Sequence, residues 1–203
     1  MPAMSTSTPR PRAPWSVAPR PVDDPVSAGL LRDYLVDVAD RWYELHEGRS
    51  TTPEEIDKHL AEMPSDDLAP PHGVFLVAHH DGELTGCAGV RLLADGGTAE
   101  PGPGPGRTAE LKRMFVRPAK RGLGAAGVLL AAAEAAAREL GAGRIVLETR
   151  LDLREARALY ARHGYVDVPP FCEGPYSEVW LGKELDGEAD GETAKALGDR
   201  VAG

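Results

Sequence analysis

Aromatic residues make up only 5% of the 203 residues, and the chain has only two cysteines. The apolar fraction of 42% still suffices for a hydrophobic core, so we expect a core built mainly from aliphatic residues and alanine. Cys87 and Cys172 lie far apart and match no Cys-x-x-Cys pattern. Both are therefore expected to be free thiols, and no disulfide framework is expected.

The sequence also lacks an excess of basic residues and any long apolar run. With 23 basic and 32 acidic residues the formal net charge is −9, which argues against nonspecific nucleic-acid binding. No stretch approaches the ~20 apolar residues of a membrane-spanning helix, and the N-terminus has no apolar segment typical of a secretion signal. We therefore expect a cytoplasmic protein with neither nucleic acid nor membrane as a partner.

Three segments have little apolar character. Residues 1–13 are predicted to be disordered, and residues 187–203 are predicted to form a flexible acidic tail. Residues 96–107, rich in Gly and Pro, are predicted to form a flexible loop between two strands of one sheet. A single domain is thus expected over residues 14–186.

Within this domain, alternating strand and helix patterns predict an α/β fold with a mixed sheet. Apolar residues at helical spacing predict an amphipathic helix over residues 26–47, and Thr52 with Glu55 predicts a capping box at the start of a second helix. Asp152 with Glu155 predicts another capping box. Strands are predicted over residues 17–21, 74–79, 84–93, 144–149, 165–168 and 178–185.

The most informative segment runs from Leu111 to Gly141. A short apolar and basic strand ends at Val116, a basic turn containing proline follows, and a glycine-rich stretch leads into an alanine-rich helix. A helix N-terminus offers unpaired N–H groups and the positive end of the helix dipole, and small residues let a phosphate approach the backbone. The segment therefore predicts a site for a phosphate-bearing cofactor.

The glycines fit a dinucleotide-binding motif in one register. Gly122, Gly124 and Gly127 satisfy the G-x-G-x-x-G pattern, and Glu148 ends the next strand, where a ribose-binding carboxylate is expected. This register would make the protein a dinucleotide-dependent oxidoreductase.

Three features argue against that register. Basic residues 117–121 separate the strand from the first glycine, and no second mononucleotide-binding half follows. The strand also carries Lys112 and Arg113, unlike a strand buried on both faces. A P-loop is excluded because no GK[ST] sequence follows a glycine-rich run.

In a second register, Arg121-x-x-Gly124-x-Ala126 matches the pattern R/Q-x-x-G-x-G/A, and here the sequence resembles the GCN5-related N-acetyltransferase (GNAT) superfamily. The segment LKRMFVRP is similar to the fourth strand of that fold, and DLREARALYARHGY is similar to its later A-x-x-L-Y-x-x-x-G-F/Y helix. The resemblance is clear over residues 74–185. It implies a single GNAT-like domain with a mixed, mostly antiparallel sheet, flanking helices and splayed central strands.

The resemblance also implies an acetyl-CoA-dependent N-acetyltransferase that uses no metal. The backbone of the strand would pair with the pantetheine amides, and N–H groups of the glycine-rich turn would bind the pyrophosphate, with Arg117 and Lys120 adding positive charge. The residues expected at the cofactor are Met114, Phe115, Val116, Arg121, Gly122, Leu123, Gly124, Ala125, Ala126 and Tyr160.

Two catalytic residues follow from the same resemblance. Tyr160 matches the tyrosine that protonates the departing CoA thiolate, and a phenol of ordinary pKa, ~10, is protonated at neutral pH. Glu110 lies where several relatives place a carboxylate that deprotonates the amine directly or through water; alternatively it pairs with Lys112 or Arg113. Glu148 is a second candidate for the base.

The first helices of this fold usually cover the acceptor site. Tyr43, Glu44 and His46 are therefore candidate acceptor contacts, whereas Trp42 lies on the apolar stripe and is interpreted as a core residue. Cys172 is interpreted as a bystander, because transfer in the family is usually direct.

The acceptor is expected to be a primary amine of a small molecule, because no added peptide-binding module is visible, although a protein acceptor is possible. The protein is expected to be a monomer or a homodimer. The adjacent residues His79 and His80 point to opposite faces of a strand, so no metal site is expected there. A module that binds acyl-CoA without turnover remains an alternative.

Overall fold

A computed structural model of the chain describes residues 15–94 and 107–185. The segments predicted as disordered or flexible, residues 1–13, 187–203 and nearly all of the loop 96–107, lie outside the described residues. The elements are β1 (Trp15–Pro19), α1 (Pro25–Glu47), α2 (Pro53–Glu62), β2 (Gly73–His80), β3 (Glu83–Leu92), β4 (Arg107–Val116), α3 (Ala125–Glu139), β5 (Ala142–Thr149), α4 (Arg154–Arg162), β6 (Val166–Asp167) and β7 (Val179–Glu184).

The strands of the described chain form one seven-stranded sheet in the order β1-β2-β3-β4-β5-β7-β6. All neighbouring pairs are antiparallel except β4 with β5, which are parallel. The expected mixed and mostly antiparallel sheet is confirmed. A dinucleotide-binding fold has a mostly parallel sheet, so this topology contradicts the oxidoreductase alternative.

The parallel pair in the centre of the sheet separates part-way along its length. β4 and β5 pair only from Arg107 with Ala142 to Glu110 with Val146, although β4 continues to Val116 and β5 to Thr149. Beyond that point β4 stays paired with β3 and β5 stays paired with β7. A cleft therefore opens between the carboxyl ends of the two central strands, as expected for splayed strands.

A β-bulge lies in β4 beside this cleft. Phe115 pairs with Cys87 and Lys112 pairs with Gly89, so two residues of β4 oppose one residue of β3. Arg113, in the bulge, has a φ of 54°, an uncommon value for a residue other than glycine. Such a bulge bends its strand and redirects side chains.

The helix starts agree only partly with the sequence-based predictions. The capping box of α2 is confirmed, with the Glu55 N–H donating to Thr52 Oγ1 at 3.3 Å and the Thr52 N–H donating to Glu55 Oε2 at 2.8 Å. The capping box predicted for α4 is wrong, because Leu153 is the N-cap and makes no side-chain bond.

The two acidic residues predicted for that box have other partners. Asp152 binds Nε and Nη2 of the buried Arg150 at 2.8 and 2.9 Å, and Glu155 pairs with Arg41. A buried guanidinium without a carboxylate costs more free energy than an uncapped helix end, so the ion pair prevails over the cap.

The helices cover both faces of the sheet. α3 and Tyr160 of α4 pack on one face in a core that is mainly aliphatic and alanine, as expected from the composition. α1 packs on the other face against Phe75, Val77 and Phe115, and α2 packs on α1 through Ile56. Among residues 15–94 and 107–185, no helix combines the length and the apolar character needed to cross a bilayer.

The contact between α3 and the sheet generates a stability prediction. Leu129 is fully buried there, so we expect Leu129→Ala to lower the free energy of unfolding by about 2–5 kcal/mol in urea titration, through lost burial and a residual cavity. Leu45→Ala is the control, because that side chain is 65% exposed, and it should change the free energy of unfolding by less than about 0.5 kcal/mol. Equal effects of the two changes would contradict the assigned core.

Candidate active site at the splayed strands

Two cavities meet at the cleft between β4 and β5. The loop cavity, of about 430 Å³, is lined by the end of β4, the glycine-rich turn and the N-terminus of α3. The aromatic cavity, of about 200 Å³, lies beneath α1 and is lined by Trp42, Tyr43 and Tyr176 among others. Six residues line both cavities: Tyr34, Val38, Met114, Leu153, Ala156 and Tyr160. The two cavities are therefore adjacent parts of one continuous cleft.

The N-terminus of α3 opens into the loop cavity. Gly124 is the N-cap with a φ of 96°, a conformation that favours glycine, and no side chain caps the helix. The first turn of α3 contains no acidic residue, and Ala125, Ala126 and Gly127 line the cavity. Because the first N–H groups of a helix have no partner within it, this end offers donors and positive dipole potential to an anion.

The basic residues of the turn are held by acidic residues of other elements. Arg121 lines the cavity, donates from Nε to the Val116 carbonyl at 3.0 Å and pairs with Asp37 of α1 at 2.8 Å. Lys120 lines the cavity and pairs with Glu83. Arg117 pairs with Asp33 at 2.8 Å and does not line the cavity.

Of the residues expected at the cofactor, Leu123 alone does not line the loop cavity. Its side chain is 49% exposed. Met114, Phe115 and Val116 line the cavity along the edge of β4 that β5 has left, so their backbone groups on that edge have no strand partner. That edge can hydrogen-bond the amides of an extended ligand.

Tyr160 of α4 lies where the two cavities meet. Its side chain is buried and its ring packs against Tyr165 with centroids 5.6 Å apart. Burial, and to a lesser extent the nearby Tyr34, raises the pKa of the Tyr160 hydroxyl above its ordinary value of 10.0. The hydroxyl is therefore protonated at neutral pH and is a hydrogen-bond donor.

Glu110 is only 2% exposed, lines the aromatic cavity and is the last residue of β4 that pairs with β5. Of the two alternative partners named from the sequence, Lys112 forms a long ion pair with Glu110, and Arg113 forms none within the described residues. Arg91 of β3 is the main partner, with Nε at 2.7 Å and Nη2 at 2.6 Å from Oε2. Lys112 Nζ lies 4.0 Å from Oε1, and Arg91 directly opposes Glu110 in the antiparallel register. Of the two carboxylate oxygens of Glu110, Oε1 therefore has the weaker contacts.

Comparison with known proteins identifies the family. The model of the acetyltransferase (GNAT) family matches residues 37–165. The chain belongs to this family. An IAA acetyltransferase of Azospirillum brasilense is 34% identical over 132 residues, which cover 61% of this chain and 78% of that protein. The uncharacterized N-acetyltransferase YjgM of Escherichia coli K12 is 31% identical over 169 residues, covering 80% of this chain and 90% of that protein.

Solved structures share the fold. The PaiA N-acetyltransferase of Thermoplasma acidophilum, in complex with coenzyme A, superposes with a TM-score of 0.56 at 18% identity and covers 84% of this chain and 99% of that chain. A GNAT-family acetyltransferase of Staphylococcus aureus Mu50 superposes with a TM-score of 0.59 at 15% identity, over 85% and 99% of the two chains. The protein is an N-acetyltransferase of the GNAT family, as the sequence motifs predict.

The acetyltransferase has an aromatic wall in its second cavity. Trp42 packs edge-to-face on Tyr43 and Tyr176, with centroids 5.1 and 5.7 Å apart, and stacks on His46 at 4.5 Å. The interpretation of Trp42 as a core residue is wrong, since the ring is half-buried and lines the cavity. Glu44 and His46 are exposed and do not line the cavity, whereas Tyr43 does.

The second candidate base, Glu148, is exposed at the mouth of the aromatic cavity. It accepts hydrogen bonds from Ser177 Oγ and, at 3.4 Å, from Cys172 Sγ. Burial and the neighbouring Glu148 raise the pKa of the Cys172 thiol, which disfavours a thiolate. Both cysteines are free, as predicted.

Several residues that line the cleft were not assigned to it from the sequence. Tyr34 and Val38 belong to the apolar stripe of α1, which predicts packing and does not reveal that part of the stripe covers a cavity. Tyr176 follows a loop rich in proline and carries no local signal. Within the described residues, no group of three or more His, Cys, Asp or Glu side chains could hold a metal ion.

Proposed function

We propose that this acetyltransferase moves an acetyl group from acetyl-CoA directly to a primary amine of a small molecule, with both substrates bound at once. The observation that carries the proposal is the meeting of the loop cavity and the aromatic cavity at Tyr160 and the free edge of β4. A donor in one cavity and an acceptor in the other can meet at this junction and react without a covalent enzyme intermediate. We assign this activity to residues 14–186.

The loop cavity suits the acetyl-CoA. Its pyrophosphate would bind the N–H groups of Arg121 to Ala126 at the start of α3, and its pantetheine arm would run along Met114, Phe115 and Val116. The Arg121 N–H already reaches the Pro118 carbonyl at 3.2 Å, so the donors nearest the helix carry most of this role. The presence of coenzyme A in the PaiA structure supports this use of the shared fold.

In the proposed reaction the neutral amine nitrogen attacks the thioester carbonyl carbon, and the carbon–sulfur bond then breaks. Glu110 takes the amine proton at Oε1, directly or through water, and the Tyr160 hydroxyl donates a proton to the CoA thiolate. Glu110 then releases its proton to solvent and the Tyr160 phenolate takes one from solvent, so both side chains return to their starting states. The reaction leaves an N-acetyl amide and free CoA.

The aromatic cavity suits a small acceptor. Its volume of about 200 Å³ lies below the range of about 300–1,000 Å³ that is usual for larger ligands. A small amine, or a single side chain of a protein acceptor, matches this size better than a folded surface does.

The cofactor assignment predicts a selective thermal shift. Acetyl-CoA and CoA should each raise the Tm, because a ligand that binds only the folded state stabilises it by mass action, whereas NADH should not. Gly124→Glu should abolish the shift, because it places a negative charge beside the phosphates and a side chain at a φ of 96°.

Gly141→Glu is the matched control for this variant. Gly141 lies beyond the other end of α3 with a φ of 85° and open space around it, so the same substitution strains the backbone without touching the loop cavity. Its shift with acetyl-CoA should be intact. An unaltered shift in Gly124→Glu would rule out the assignment of the turn to the pyrophosphate.

The general-acid role predicts the kinetics of Tyr160→Phe. Loss of the hydroxyl should lower kcat about 10²-fold or more while the KM for acetyl-CoA changes much less, because the proton is needed only as the thiolate leaves. Tyr165→Phe removes a neighbouring buried hydroxyl that lines neither cavity, and its kcat should change little. An unchanged kcat in Tyr160→Phe would exclude the general-acid role.

The base role predicts the pH profile of Glu110→Gln. The acid limb of the kcat/KM profile should disappear or move, and kcat/KM should fall about 10²–10⁴-fold, because the amide cannot accept the proton. Glu148→Gln tests the other candidate base, and the acid limb of its kcat/KM profile should match that of the wild-type enzyme. If Glu110→Gln lowers only the Tm and leaves the shape of the pH profile unchanged, Glu110 is not the base and its role is to form the ion pair with Arg91.

A further inference from the structure

Two cations, Lys112 and Arg113, stand side by side on the wall of the aromatic cavity. Consecutive residues of a regular strand point to opposite faces of the sheet. The bulge in β4 removes that alternation, so both residues line the cavity on the α1 side of the sheet. Arg113 contacts Tyr34 of α1, with its guanidinium carbon 5.7 Å from the ring centroid.

Within the described residues Arg113 has no carboxylate partner, and Lys112 shares one with Arg91. Arg113 donates from Nε to Ser65 Oγ at 3.1 Å and from Nη2 to the Met63 carbonyl at 3.0 Å, both uncharged oxygens. Within residues 15–94 and 107–185, no carboxylate forms an ion pair with Arg113. The nearest acidic group to Lys112 is Glu110 at 4.0 Å, whose other oxygen is bound by Arg91.

The other charges of the cavity already have partners in the fold. Arg91 bridges Glu110 and Asp67, and Arg150 pairs with Asp152. Glu148 accepts from Ser177 and Cys172 at the mouth. Arg91 and Lys112 together balance Glu110 and Asp67, so among the described residues Arg113 is the cation of this wall that lacks a carboxylate. The Lys112 side chain beside it is only 20% exposed. Partly buried cations of this kind are stabilised when an anion binds between them.

We propose that the acceptor is an amino carboxylate with an aromatic body: Lys112 and Arg113 bind its carboxylate, and Trp42, Tyr43 and Tyr176 contact its ring. The inference rests on the proposed function and names the acceptor class for the same site. A guanidinium and an ammonium on one wall can both donate hydrogen bonds to a carboxylate. The aromatic wall provides edge and face contacts for a ring.

The same cations discriminate against acceptors that carry no anion. An acceptor with several amino groups and no anion would be repelled. The wall thus selects an amine that brings its own negative charge.

The test compares three amines that differ only at the carboxylate: L-phenylalanine, L-phenylalaninamide and phenethylamine. With acetyl-CoA and a free-thiol readout, kcat/KM for phenylalanine should exceed that for the amide and the amine at least about tenfold, the loss expected for one charged hydrogen bond. The kcat/KM for phenylalanine should also exceed that for L-alanine, which lacks the ring, at least about tenfold.

Variants then locate the effect. Lys112→Gln and Arg113→Gln should each narrow the preference for phenylalanine over phenethylamine at least about fivefold, whatever their effect on the Tm. Lys58→Gln makes the same change at a side chain that is 70% exposed and does not line the cavity, and it should keep the wild-type preference.

A preference for the carboxylate that survives in Lys112→Gln and Arg113→Gln would overturn the proposal, as would equal or better turnover of phenethylamine. If no amine of the series is turned over, phenylalanine must still raise the Tm of the CoA-loaded protein more than phenylalaninamide does. Failure of that shift also overturns the proposal. If acetyl-CoA still raises the Tm in the same samples, the cofactor assignment stands even though the acceptor proposal has failed. The experiment therefore distinguishes failure of the acceptor proposal from failure of the proposed function.

Discussion

The separation of β4 from β5 is the feature on which the site depends. The two strands pair as parallel neighbours up to Glu110 and Val146 and then each keeps only its outer partner. Leaving backbone groups unpaired in the middle of a sheet costs free energy unless another partner satisfies them. In this acetyltransferase the vacated edge of β4 borders the loop cavity, where the amides of an extended cofactor can satisfy those groups.

The bulge in β4 makes the two faces of this strand differ in charge beside the cleft. It places Lys112 and Arg113 together on the α1 side, while Leu111 and Met114 pack with the core under α3. One local irregularity therefore brings two cations to the wall of the aromatic cavity. Arg113 fixes this geometry further, because its hydrogen bonds to Met63 and Ser65 tie β4 to the segment after α2.

Helix α1 joins the two halves of the site. Its apolar residues cover the cleft, and its acidic residues Asp33 and Asp37 hold Arg117 and Arg121 of the turn. These ion pairs are partly exposed, so each contributes roughly 0–1 kcal/mol to the stability of the fold. The alanines of α3 let that helix lie close to the sheet, which places its N-terminus at the end of β4.

Local patterns in the sequence determined the elements and one side of the site. The α2 capping box and the glycine-rich turn depend on residues a few positions apart, so they could be predicted from the sequence, together with the residues that line the loop cavity. The tertiary structure alone decided the rest, because it depends on contacts between distant elements. Arg91 as the partner of Glu110, Asp152 as an ion-pair partner and not a cap, and Trp42 with Tyr176 in one wall all arise from such contacts. The bulge that sets Lys112 beside Arg113 follows from pairing with β3 and leaves no mark in the residues of β4 themselves.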